Sequence, residues 1–187
     1  LNAHFARMLN SSRQCRCCGA TFEQLLSLTC DRPDICPEDM PVQDNAAVFA
    51  AEGDVLTEDF CILGELRFIR AVLAIPINEG GDYEFILGTW AGIGIAEFDA
   101  YLDLFELRET ESMGASPAWL SNQLPFGPLG PVACMLHPRP DGEYPELQVA
   151  EVNHDLARMQ NIGVDLDELL GMLQAYGHDL PSLVYDS

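Results

Sequence analysis

The residues best suited to chemistry stand near the start of the chain, in CRCCGA at positions 15–20. Cys15 and Cys18 have the C-x-x-C separation of a zinc knuckle, and Gly19 lets the backbone turn tightly behind the second sulfur. A structural zinc usually takes four donors, as thiolate or neutral imidazole. Two more must then come from elsewhere. Cys30 and Cys36 are nearest in sequence, although their C-x5-C spacing is wider than a knuckle's. Cys61, His137 and His154 are more distant candidates. The same thiols admit two other readings, a metal-free structural cluster and a redox dithiol. A redox dithiol needs its C-x-x-C after a strand and at a helix start, where the dipole lowers the thiol pKa. The preceding NSSRQ does not read as a strand.

A second set of polar residues lies in SPAWLSNQLPFGPLGP, which reads as an ordered surface loop rich in glycine and proline. Asn122 and Gln123 are candidates to hydrogen-bond a ligand, with Trp119 to stack on it. The plainer reading has Trp119 plugging the loop onto the core and Asn122 satisfying its backbone. His137, before Pro138, is a candidate acid, base or ligand, or an ordinary hydrogen-bonding group at a sheet edge. His154 precedes Asp155 at a helix start and reads as a cap; His4 and His178, near the termini, carry less weight. With 30 acidic residues, an apparent carboxylate pair is expected by chance, and none has a context that assigns acid or base work. No GxGxxG or GxxxxGK[ST] run supports a dinucleotide or P-loop site.

The elements that must position these residues are legible in part. The run DFCILGELRFIRAVLAIPI predicts a short strand, a turn near Gly64 and a longer strand from about residue 67 to 75. Its second half is nearly all apolar, as where both strand faces are covered. NEGGD is a turn signal, and YEFILGTWAGI the next strand, with Gly88 marking a bulge or a close backbone approach. From Ala96 the spacing of Phe98, Leu102 and Phe105 predicts a helix, with Tyr101 beside the stripe. VACMLHPRP and ELQVAEVNH read as two further strands. A short helix is expected over 154–160 and a longer one over 165–176, capped by Asp165 with Glu168 and stopped by Gly177. Residues 1–14 form a short helix or a frayed end, and residues 19–57 read as irregular, with one or two helical turns. The fold class is therefore α+β: a largely antiparallel sheet covered by helices, with an irregular cysteine-bearing N-terminal segment. The expected division is residues 1–57 for that segment and 58–187 for the α+β core.

Charge narrows the partners. There are 9 basic residues and a formal net charge of −21, which repels phosphate backbones and anionic lipid. Nucleic-acid and membrane partners are not expected; a basic protein or a small molecule is. No run of apolar residues is long enough for a membrane span, and LNAHFARMLNSSRQ lacks a signal-peptide core. An odd seven cysteines, three of them crowded together, fits reduced thiols in a cytoplasm.

Several stretches occur in a telling order: CRCCGA, FCILGELRFIRAVLAIPI, TWAGIG with FDAYLDLFE, WLSNQLP, LHPRPDG and VNHDLARMQNIGV. Together they resemble the bacterial DUF2199 family of uncharacterised proteins, over roughly residues 15–164. The resemblance implies a C-x-x-C-G knuckle at Cys15, Cys18 and Gly19, with Cys17 an extra thiol inside it. It implies no substrate and no catalytic residue. DRPDICPEDMP departs from the family's more aromatic segment at that place. The expected function is a noncatalytic binding or regulatory role, with zinc the only cofactor in view. The alternatives are a small hydrolase or thiol oxidoreductase, and a structural module supported by zinc.

Overall fold

The apolar run read from the sequence becomes the spine of the molecule. In the computed structural model, which describes residues 9–22, 27–78, 82–127, 130–151 and 154–181, two long strands pair along their whole length. These are β7 (Leu66–Pro76) and β8 (Glu84–Ile93), antiparallel with Arg67 opposite Ile93 and Pro76 opposite Glu84. Five consecutive residues of β7, Ala71 to Ile75, are buried, so both of its faces are covered there. β9 (Ser116–Leu120), β10 (Val132–His137) and β11 (Glu146–Val149) continue the sheet from β8, and β11 returns to β7 through the parallel pair Glu146–Val72. Five strands thus form a closed ring. Closure removes the edges that an open sheet would expose.

The free lengths of the spine carry the remaining strands. β6 (Phe60–Leu63) pairs with the start of β7, and β5 (Val55–Thr57) and β4 (Val42–Gln43) follow it outward. β3 (Ser27–Thr29) lies parallel to the first part of β8, with Thr29 opposite Gly88. A Cβ added at Gly88 would come within 2.9 Å of the Thr29 hydroxyl, so the glycine marks a close approach. β1 (Arg13–Gln14) and β2 (Thr21–Phe22) form a separate hairpin.

The expected antiparallel sheet with covering helices is present. α1 (Ile95–Leu107) buries Phe98 and Tyr101, and its aromatic stripe meets Phe60 of β6, with 4.9 Å between the Phe60 and Phe105 ring centres. α2 (Asp155–Ile162) packs on β7 and β11, with His154 accepting the Leu156 backbone N–H as its cap at 3.0 Å. α3 (Leu166–Ala175) buries Leu169, Met172 and Leu173. Its capping box is complete, Asp165 accepting from the Glu168 N–H and Glu168 from the Asp165 N–H.

Two readings need correction. SPAWL is a strand and not part of a loop: its burial alternates, with Ser116, Ala118 and Leu120 inward. Pro117 is tolerated because β8 pairs only with Trp119 and Leu120, leaving no neighbour on that side at Pro117. Residues 19–57 are less irregular than expected. They hold β2 to β5 and a 3-10 turn at Asn45–Ala50 capped by Asp44. Strands of two or three residues are too short to leave a readable two-residue alternation. The helix expected over 1–14 falls mostly outside the described residues; Leu9, at their start, is fully buried.

Candidate metal centre

The β1–β2 hairpin is the frame of the site. Cys15 directly follows its first strand, and the Gly19 N–H donates to the Cys15 carbonyl at 2.9 Å while the Cys15 N–H donates to the Ala20 carbonyl at 2.8 Å. Gly19 has φ +74°, a left-handed turn that a Cβ would disfavour. The turn brings the Cys15 and Cys18 sulfurs to one side. Cys15 is buried at 2% exposure, Cys17 and Cys18 exposed.

The third donor comes from the far end of the chain. α3 ends in a Schellman motif: the Gly177 N–H donates to the Gln174 carbonyl, and the His178 N–H to the Leu173 carbonyl. Gly177, at φ +85°, makes the reversal. His178 is thereby delivered to the hairpin, its ring edge-on to Phe22 at 4.8 Å between centres. His178 Nδ1 lies 3.8 Å from Cys18 Sγ, and the Cys15, Cys18 and His178 donor atoms are all within 4.8 Å of one another. Tetrahedral zinc with ordinary bond lengths would set these donors about 3.8 Å (sulfur to sulfur) and about 3.6 Å (sulfur to nitrogen) apart. The cluster is therefore able to hold a metal ion with only small side-chain adjustments.

Further contacts bind hairpin to C-terminal segment. The Arg16 N–H donates to the Asp179 carbonyl at 2.9 Å, and Arg13, almost wholly buried, donates through Nε to the Pro181 carbonyl at 3.0 Å. The Cys15 thiol is held down at about 6, first by the Cys18 backbone N–H and further by the His178 side chain, against the opposing effect of burial. A thiolate at this position is what a metal requires. Contrary to the reading of NSSRQ, a strand does precede Cys15, but a turn and β2 follow Cys18. No helix start stands there to activate a dithiol.

Cys30 and Cys36 do not join this cluster. Cys30 follows β3, facing the Tyr176 hydroxyl, and burial raises its thiol. Cys36 is buried beside Leu56, Cys61, Phe68 and Trp90, its sulfur 3.5 Å from Met40 Sδ. Burial, and then the neighbouring Cys36, push the Cys61 thiol up. The Cys30 and Cys61 thiols therefore favour the neutral form. His137 ends β10 opposite Glu146, whose carboxyl burial pushes up, and His154 is the α2 cap, so neither reaches the cluster.

Trp119, Asn122 and Gln123 border a shallow cavity of about 290 Å³, with Asp34, Ile35 and Phe68. Asn122 is only 5% exposed, and its amide is fully engaged with the protein. Its oxygen accepts from the Thr89 hydroxyl at 2.9 Å and the Trp90 N–H at 3.0 Å. Its nitrogen donates to the Arg32 carbonyl and to Asp34, each at 2.8 Å. Asn122 therefore pins the 32–40 loop against β8. Gln123 accepts the Gly130 N–H at 3.0 Å, and the Trp119 ring occupies the space a Cβ at Gly92 would take.

Fold and site together define an α+β protein built on a closed five-stranded ring, with a cysteine hairpin joined to its last described helix. The chain belongs to the DUF2199 family, described as uncharacterised proteins conserved in bacteria, whose model matches residues 14–164. That range begins just before Cys15 and ends before His178. Searches of the curated proteins and of the solved structures found no match. Among the described residues no helix is long and apolar enough to cross a membrane.

Proposed function

We propose that the protein is a noncatalytic module supported by zinc, with Cys15, Cys18 and His178 as the ligands. The observation that carries this reading is the convergence of two sulfurs and one imidazole nitrogen from opposite ends of the chain, all within 4.8 Å. Two soft thiolates with an imidazole suit zinc better than a hard cation such as magnesium or calcium. Three protein donors leave one position of a tetrahedral ion for water or a further donor. The ion's work would be mechanical. It crosslinks the hairpin to the segment after α3, beside the contacts that Arg13, Arg16 and Phe22 already make with that segment. Such a clip closes a loop spanning most of the chain and acts largely by restraining the unfolded state.

Native mass spectrometry with elemental analysis, on protein made without a polyhistidine tag or metal depletion, tests the reading. One zinc per chain is expected, lost in Cys15→Ser, Cys18→Ser and His178→Ala. Cys17→Ser, Cys30→Ser and Cys36→Ser are expected to keep it. Metal-free protein, or zinc retained without His178 and lost without Cys30 or Cys36, would refute the assignment.

A further inference from the structure

A larger cavity than the one beside Trp119 shares no residue with the Cys15–Cys18–His178 cluster and holds none of the candidate site residues read from the sequence. It measures about 570 Å³ and lies between the β5–β6 turn, the end of α1 and the β10–β11 turn. We infer that it binds a small organic cation, one carrying an ammonium or guanidinium group.

Its floor is aromatic. Tyr101 and Phe105 come from α1, and Tyr144 from the β10–β11 turn. Around them stand four carboxylates, Asp59, Glu111, Asp141 and Glu143; Arg108 is the one basic residue among the described residues of the wall. Glu143 is paired with Arg139 at 2.6 Å, outside the wall, so its charge is partly answered already. Asp59 is the fixed member of the set. One of its oxygens accepts from the Tyr144 hydroxyl at 2.8 Å and the other from the Asn45 amide at 2.7 Å. A carboxylate has about four acceptor sites, so two such bonds orient it and leave capacity for a ligand's N–H groups.

A second observation is independent of the charge. Tyr101 is 5% exposed, and its hydroxyl has no hydrogen-bond partner in the protein among the described residues. Tyr101 lines the cavity together with Asp59 and Tyr144; burial first, and then these two neighbours, raise its hydroxyl. Unlike the sealed Tyr176 hydroxyl, that of Tyr101 is open to the cavity, so it is placed to accept an N–H of a bound cation. Arg108 and Asp141 add to the picture. They are the only non-glycine residues with positive φ among the described residues, and both line this cavity. Aromatic faces and a fixed carboxylate hold an ammonium or guanidinium by cation–π attraction and charge-assisted hydrogen bonds. An anion would meet the same carboxylates as repulsion.

Agmatine, which carries both kinds of cationic group, is the probe, with butane diol and succinate as neutral and anionic counterparts. Calorimetric titration of the intact protein is expected to give saturable binding of agmatine at one site per chain and none of the counterparts. Tyr101→Phe has no hydrogen bond to lose, so it should fold as the parent and weaken binding about threefold or more. Asp59→Asn is expected to weaken it at least about tenfold. The double change Asp99→Asn with Asp103→Asn, on the exposed face of α1, controls for the acidic surface as a whole and should leave affinity unchanged. Equal binding of the diol or succinate, affinity indifferent to Tyr101→Phe, or equal weakening by the control would overturn the inference.

Discussion

Asn122 offers the sharpest energetic test, because its four hydrogen bonds all go to the protein. Asn122→Ala removes the acceptor of two donors that are fully buried, the Thr89 hydroxyl and the Trp90 N–H. A buried donor left without a partner costs about 1–3 kcal/mol. The Arg32 carbonyl and Asp34 also lose a donor, but they stand nearer solvent and cost less. Taking about 1.5 kcal/mol for each buried donor gives about 3 kcal/mol. Water entering from the adjacent cavity would lower this to about 2 kcal/mol. For a chain of this length the melting temperature falls about 2–4 °C per kcal/mol, so a loss of about 4–12 °C is expected. Urea denaturation followed by tryptophan fluorescence should show a lower midpoint with an unchanged slope. Gln123→Ala, at an exposed position, should cost less than about 1 kcal/mol. An Asn122→Ala protein within about 0.5 kcal/mol of the parent would show that the residue does not hold the loop to β8.

Two other expectations concern the hairpin and the helix that meets it. In metal-free protein the Cys15 thiol ionises at about 6 in the fold, below its ordinary value of 9.0. Its thiolate is favoured by folding, so the stability it adds is complete above the ordinary value and is lost as pH falls through about 6. Thermal melts of metal-free parent and Cys15→Ser should therefore differ most at alkaline pH and converge below about 6; a gap that widens toward acid contradicts this. Asp165→Ala breaks the capping box of α3 and should cost about 1 kcal/mol by urea denaturation. A cost indistinguishable from zero would mean that the box adds nothing to α3.

What was legible in the sequence follows from the range over which each feature is determined. β7 and β8 announce themselves by a continuous apolar run, and the α3 capping box by Asp165 and Glu168 three residues apart. The same holds for the knuckle, since Cys15, Cys18 and Gly19 act on one another within a single turn. Ring closure was hidden because it depends on one parallel pair, Glu146 with Val72, between segments with no local sign of meeting. β9 was hidden behind Pro117 and the glycines and prolines that follow, although Ser116, Ala118 and Leu120 keep the two-residue period of a half-buried strand. His178 was passed over as a terminal residue. It stands 160 positions from Cys18, and its one local mark is Gly177, which ends a capped helix and turns the next residue back. The proposed cation cavity was illegible for a related reason: Asp59, Tyr101 and Tyr144 come from a turn, the middle of a helix and a second turn, among too many acidic residues to single out.

X-ray absorption at the zinc edge reads the ligand set directly. The account predicts two sulfurs at about 2.3 Å and an imidazole nitrogen at about 2.0–2.1 Å, with His178→Ala removing the imidazole signal. A shell of four sulfurs, a shell of oxygens, or a spectrum unmoved by loss of His178 would contradict it.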